Sequence, residues 1–182
     1  MRVIAGALKG RRLKAPTWDG LRPTSDKLRE TLFNILAPRI AGARFLDGYA
    51  GTGAVGIEAL SRGAAHVTFV DSDARAQALV ADNLARCGVA DGYAIIRGSV
   101  ARALAALRAT DAFDIILLDP PYGDHDVQAM LAEAGELVRS EGVLVLEHAR
   151  RQPAPRAAGR LVRSREVSSG ASALAFYQVG RL

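Results

Sequence analysis

Short apolar runs alternate with stretches in which apolar residues recur every three or four positions. Arg44–Asp47, His66–Asp71, Tyr93–Arg97, Phe113–Leu118 and Gly142–His148 read as strands, several of them apolar enough to be buried on both faces. Between them, stretches led by Ile57, Ala59 and Leu60, by Ala76, Leu79, Val80, Leu84 and Cys87, and over 99–108 and 126–138 read as helices. An earlier helix is capped by Thr24 or Ser25, carries Leu28, Leu32, Phe33, Ile35 and Leu36 on its apolar face, and is expected to end at Pro38. Residues 1–16 alternate weakly around Gly6 and Gly10 and suggest a hairpin, whereas 160–168 and 172–179 read as closing strands joined at Ser168-Ser169-Gly170. Strand–helix alternation of this kind predicts an α/β fold with a mostly parallel, seven-stranded sheet covered on both faces. Ligands of such sheets sit beyond the C-terminal strand ends. Asp47, Asp71, Ser99 and Asp119 all fall there, so four segments are expected to converge on one crevice.

The most unusual strand end is Asp119-Pro120-Pro121-Tyr122. Two prolines fix φ twice and remove two N–H groups, forcing an extended stop. What remains on offer is the Asp119 carboxylate, the Pro120 carbonyl and the Tyr122 ring. Two acceptors beside a flat face suit a planar base bearing an exocyclic amino group, with the base stacked on the ring. The plainer alternative is a Pro-Pro turn with a capping acid.

Gly51-x-Gly53-x-x-Gly56, with Asp71 twenty residues after Gly51, matches a dinucleotide glycine pattern. In a nicotinamide enzyme, however, the pyrophosphate lies on the helix N-terminus close after the strand. Here Asp47 ends the strand and would repel pyrophosphate, yet could accept from an ammonium group. S-adenosylmethionine has an ammonium, a sulfonium, a ribose diol and no phosphate. Asp47 at its amino-acid end, Gly51 and Gly53 for close approach, and Asp71 for the ribose hydroxyls suit it better.

Charge is segregated along the chain. Residues 1–29 hold eight Lys/Arg against two Asp/Glu, residues 30–149 hold nine against sixteen, and residues 150–166 hold six against one. Two basic segments on an acidic body are the electrostatic footprint of nucleic-acid binding. The candidate phosphate-holding residues are Lys9, Arg11, Arg12, Arg22, Thr24, Lys27 and Arg29, with Arg150, Arg151 and Arg156 as a possible second contact. No stretch approaches 18 apolar residues, and Met1–Gly10 is too broken for a signal-peptide core, so no membrane partner and a cytoplasmic location are expected. The lone Cys87 excludes internal disulfides, and His66, His125 and His148 lack metal-ligand spacing, so no metal is expected.

Asp47-x-x-x-Gly51-x-Gly53, then Asp71, then Asp119-Pro120-Pro121-Tyr122, resembles a class I, Rossmann-like methyltransferase of the amino-methylating type. Arg2–Gly6, Lys9-Gly10-Arg11, Arg22-Pro23-Thr24, Arg29–Asn34 and Glu58–Ala64 narrow the resemblance to the bacterial small-subunit ribosomal RNA guanine-N2 methyltransferases. It runs over about residues 1–148. It implies S-adenosylmethionine as cofactor, held by Asp47, Tyr49, Ala50, Gly51, Gly53, Asp71, Ser72, Ser99, Val100 and Asp119. It implies Asp119, Pro120, Pro121 and Tyr122 as the catalytic loop. It also implies small-subunit (16S) ribosomal RNA or the assembled 30S particle as partner, and a monomer. In that family an acid or amide usually contacts adenine where Ser99 stands. A bulky residue usually stands at Gly48, so a looser loop is expected there. Residues 1–38 would form a basic RNA-binding extension and 39–182 the methyltransferase domain. The rivals are N6-adenine methylation of DNA or RNA, which shares the tetrapeptide; a nicotinamide oxidoreductase; and a non-catalytic RNA-binding assembly factor.

Overall fold

The computed structural model describes residues 1–21, 23–108, 112–123 and 126–180; Arg22 and His125 therefore lie outside the described residues. The elements run α1 (Asp26–Ile40), β1 (Arg44–Gly48), α2 (Ala54–Ser61), β2 (His66–Asp71), α3 (Ala74–Arg86), β3 (Tyr93–Arg97), α4 (Val100–Leu107), β4 (Phe113–Leu118), α5 (Val127–Gly135), β5 (Val138–Ala149), β6 (Ala157–Ala158), β7 (Leu161–Ser169) and β8 (Ser172–Val179). The strands form one sheet in the order β3-β2-β1-β4-β5-β8-β7-β6. From β3 to β5 all pairs are parallel, and β8, β7 and β6 add antiparallel. The expected seven strands are present; the eighth is the two-residue β6 between β5 and β7.

Alternation along the central strands divides the core in two. Phe45, Ile115, Leu117, Val143 and Val145 face α1, α2 and α3. Leu46, Ile116, Leu118, Leu144 and Leu146 face α4 and α5. Val3 and Leu13 of the N-terminal segment belong to the first of these cores, so the basic extension shares its packing with the sheet. Helix α2 lies so close on β2 that a Cβ at Gly56 would stand 2.2 Å from Phe69 Cε1.

Three boundaries differ from the sequence expectation. Pro38 does not end α1, which continues to Ile40, because a proline near the C-terminus removes one bond while Leu36 and Ile40 remain buried. Helix α5 stops at Gly135, and β5 begins at Val138, which pairs with Phe113 ahead of a register shift. The N-terminal hairpin is reduced to one antiparallel bridge, Arg2 with Arg12. Around it the Val3, Gly10 and Leu13 amides donate to the Arg11, Val3 and Met1 carbonyls, and side chains of α2 hold the segment to the body. Glu58 Oε2 and Oε1 accept the Ile4 and Ala5 amides at 2.8 and 2.9 Å, and Ser61 Oγ accepts the Leu8 amide at 2.9 Å.

Candidate active site

The parallel strands end on one side in a crevice of about 970 Å³. Asp47, Tyr49, Ala50, Gly51, Asp71, Ser72, Ser99, Val100 and Asp119–Tyr122 line it, and Thr24 and Lys27 reach it from around the start of α1. Gly53 is not among the lining residues; it is the N-cap of α2, with φ 78°, in the left-handed region that glycine tolerates.

Asp47 is buried, and its Oδ2 accepts the Gly56 amide at 2.9 Å, in the first turn of α2. Burial pushes its carboxyl up to about 8, against the smaller opposing effect of that amide; Asp71 adds a further upward push. A neighbouring cation is what would restore its charge. Asp71 spends one bond per oxygen on the chain itself: Oδ2 accepts the Gly51 amide and Oδ1 the Asp73 amide, each at 2.9 Å. A carboxylate oxygen has room for a second donor, so two hydroxyls can still be received. Ser99 caps α4, its Oγ accepting the Arg102 amide at 3.3 Å, and leaves its hydroxyl proton to donate. An ammonium at Asp47, a diol at Asp71 and an apolar wall at Val55 and Val100 fit S-adenosylmethionine.

The expected loosening at Gly48 is not found. Gly48 pairs with both Val70 and Leu118, and a Cβ there would stand 2.6 Å from Leu118 Cδ2, so the absence of a side chain lets the central strands close up. The adjoining Tyr49 takes the unusual φ of 64° and donates its hydroxyl to Met130 Sδ at 3.3 Å.

At the end of β4, Pro120 is buried, whereas Tyr122 is 46% exposed with its hydroxyl 3.1 Å from Ser172 Oγ. The side chain is thus tethered at its tip and about half exposed. Three strand-end acids share one side of the sheet. Leu118 is registered with Leu146, so Asp119 and Glu147 follow on adjacent strands, and both continue the face of Leu117 and Val145 that also holds Asp47. Glu147 lines the crevice, is only 6% exposed, and accepts the Thr24 hydroxyl at 3.1 Å. Sequence reasoning passed over Glu147 as part of a strand; the available signal was an acid directly after four apolar residues, as at Asp119. It also passed over Asn83, whose side chain accepts the Lys14 amide at 2.7 Å and donates to the Thr52 carbonyl at 2.9 Å, joining the N-terminal segment to the glycine loop.

The basic residues separate into three groups. Lys27 and the Thr24 hydroxyl belong to the crevice. Lys9, Arg11 and Arg12 are exposed outside it. Arg29 is fully buried and cannot hold a phosphate at the surface: Nη2 donates to the Arg2 carbonyl at 2.6 Å and to Asp26 Oδ1 at 2.9 Å, and desolvation lowers its pKa despite Asp26 and Glu58.

A β3-β2-β1-β4-β5 parallel core with an antiparallel β8-β7 edge, a glycine loop between two strand-end acids and an Asp-Pro-Pro-Tyr mouth define a Rossmann-like class I methyltransferase. The chain belongs to the family described as Conserved hypothetical protein 95, which matches residues 1–178. It is 40% identical over 181 residues to the Bacillus subtilis protein named "Putative rRNA methyltransferase YlbH", covering 98% of each chain. It is 40% identical over 147 residues to "Ribosomal RNA small subunit methyltransferase D" of Escherichia coli, covering 81% of this chain and 71% of that one. Among solved structures, it superposes on the Escherichia coli "Putative methyltransferase yhhF" with a TM-score of 0.86 and 33% identity, covering 98% of this chain and 97% of the other.

Proposed function

We propose that the protein transfers a methyl group from S-adenosylmethionine to the exocyclic N2 of a guanosine in small-subunit ribosomal RNA, acting as a cytoplasmic monomer on RNA or on the 30S particle. The observation that carries this reading is the placement of Asp119, just past the end of β4, between Asp47 and Glu147, with the half-exposed Tyr122 ring three residues on.

Bound S-adenosylmethionine supplies an electrophilic methyl carbon on a positively charged sulfur. Asp47 receives the cofactor's amino-acid end, and Asp71 its ribose. The N2 lone pair of guanine is delocalised into the ring and is a poor nucleophile. Asp119 and the Pro120 carbonyl accept its two N–H hydrogens, draw the nitrogen towards a tetrahedral geometry and aim the lone pair. With the methyl group supplied by the cofactor, Asp119 or solvent would take the N2 proton. The gain is one of positioning and electrostatics. Tyr122 stacks on the extruded base. Lys9, Arg11 and Arg12 hold phosphates away from the crevice, and Lys27 at its rim.

The test is transfer of tritiated methyl to small-subunit particles lacking the modification, followed by nucleoside analysis. Label in N2-methylguanosine is expected. Label in N6-methyladenosine would overturn the target, and no label together with no cofactor binding would favour an assembly factor. Asp119→Ala should cut turnover much more than cofactor binding, and equal loss of both would overturn its assigned role.

A further inference from the structure

We infer that Glu147 is the residue by which this crevice selects guanine, accepting the N1–H hydrogen of the base while Asp119 holds N2. The inference rests on the guanine-N2 reading above and adds a specificity determinant to it.

Asp119 and Glu147 follow the registered pair Leu118 and Leu146 on neighbouring parallel strands. Strand alternation turns both onto the face of Leu117 and Val145. Adjacent parallel strands lie about 4.8 Å apart, so two carboxylates project side by side from the end of the sheet. On a purine, N1 and the 2-amino nitrogen are also neighbours. Guanine carries hydrogen on both, and a carboxylate is an acceptor with no hydrogen to give. Two adjacent acceptors therefore match the donor–donor edge of guanine. Adenine turns a lone pair at N1 towards its amino group's side and would meet Glu147 acceptor to acceptor.

The surroundings keep Glu147 in that role. It is only 6% exposed, so a mismatch there cannot be relieved cheaply by water. The Thr24 hydroxyl donates to Oε2 at 3.1 Å and fixes the carboxylate from the loop before α1. Tyr122 is tethered by its hydroxyl to Ser172 at the start of β8, the strand that pairs with β5. The stacking ring and the proposed N1 acceptor are thus held by the same pair of strands.

The discriminating probe is 2-aminopurine, which keeps the 2-amino group but has a lone pair at N1. Small-subunit RNA is prepared with guanosine or 2-aminopurine riboside at the accepted position, and kcat/KM is measured for the wild type and for Glu147→Gln. The wild type should place label in N2-methylguanosine and prefer guanosine by about a hundredfold or more, because a buried hydrogen-bonding site rejects analogues lacking the donor. Glu147→Gln is isosteric and its carboxamide can donate to N1, so the preference should narrow by about tenfold or more with cofactor affinity unchanged. Equal loss on both bases, or a wild type indifferent to the N1 hydrogen, would overturn the role of Glu147 and leave guanine methylation standing. No label in guanosine would overturn both.

Discussion

Asp47 Oδ2 accepts the amide hydrogen of Gly56 at 2.9 Å, at the foot of the helix that follows the glycine loop. The carboxyl that makes this bond is raised by burial from 3.8 to about 8. Well below 3.8 it is neutral folded and unfolded alike. Between there and about 8 only the folded protein keeps the proton, so this group's contribution to stability falls as pH rises and is fully lost above about 8. Asp47→Asn keeps an acceptor for Gly56 and removes the titration. Denaturant unfolding of the cofactor-free protein should show the variant gaining on the wild type from pH 5 to pH 8, while its cofactor affinity drops at least about tenfold. A pH-independent difference in stability would show that Asp47 is ionised throughout.

Tyr122 offers its ring to solvent while its hydroxyl meets Ser172. Removing the ring in Tyr122→Ala should cost about 1–3 kcal/mol in kcat/KM for RNA, the usual worth of one stacked base. Tyr122→Phe should recover most of it, and cofactor affinity measured by calorimetry should be the same in all three proteins.

Replacing Lys9, Arg11 and Arg12 together by alanine should weaken RNA binding and reduce the slope of log affinity against log salt by about two. Their exposure makes a folding defect an unneeded explanation, which an unchanged melting temperature would document. An unaltered salt slope would remove these residues from the RNA contact.

Glu58 is fully buried and receives the amides of Ile4 and Ala5 together with Arg62 Nε at 2.8 Å. Glu58→Ala leaves two amides and the Arg62 charge without their partner, and should cost about 3 kcal/mol in denaturant unfolding. Amide exchange at Ile4 and Ala5 should accelerate more than exchange in β4. Equal acceleration in both would mean that the segment opens only with the whole protein.

The parts of this site that sequence makes visible are those set by neighbours along the chain. Asp47, Asp71 and Asp119 each follow an apolar run directly, and the glycines between the first two are spaced for a loop; strand-end position and chemistry coincide within a few residues. Arg29 misleads because a cation in the first turn of a helix reads as a solvent-facing group. Its burial is created by the Arg2 carbonyl, which arrives from 27 residues away. Glu58, Ser61 and Asn83 sit on inward helix positions where a polar residue gives no clue to its partner, and those partners lie 54, 53 and 69 residues off. Glu147 was hidden differently: its apolar predecessors announce a strand, but only the β4–β5 register places it beside Asp119.

Helix α2 has eight residues, and its two ends serve different tenants. Its first turn receives Asp47 under the glycine loop, while Glu58 and Ser61 near its last turn clasp the chain's opening residues. Asn83 repeats the linkage by touching Lys14 and Thr52 together. A truncation that removes the opening residues is therefore also a lesion beneath the methyl-donor pocket, and activity lost in such a deletant measures two injuries at once. Point substitutions at Lys9, Arg11 and Arg12, whose side chains leave that clasp intact, are the cleaner instrument for asking what the basic segment does for RNA.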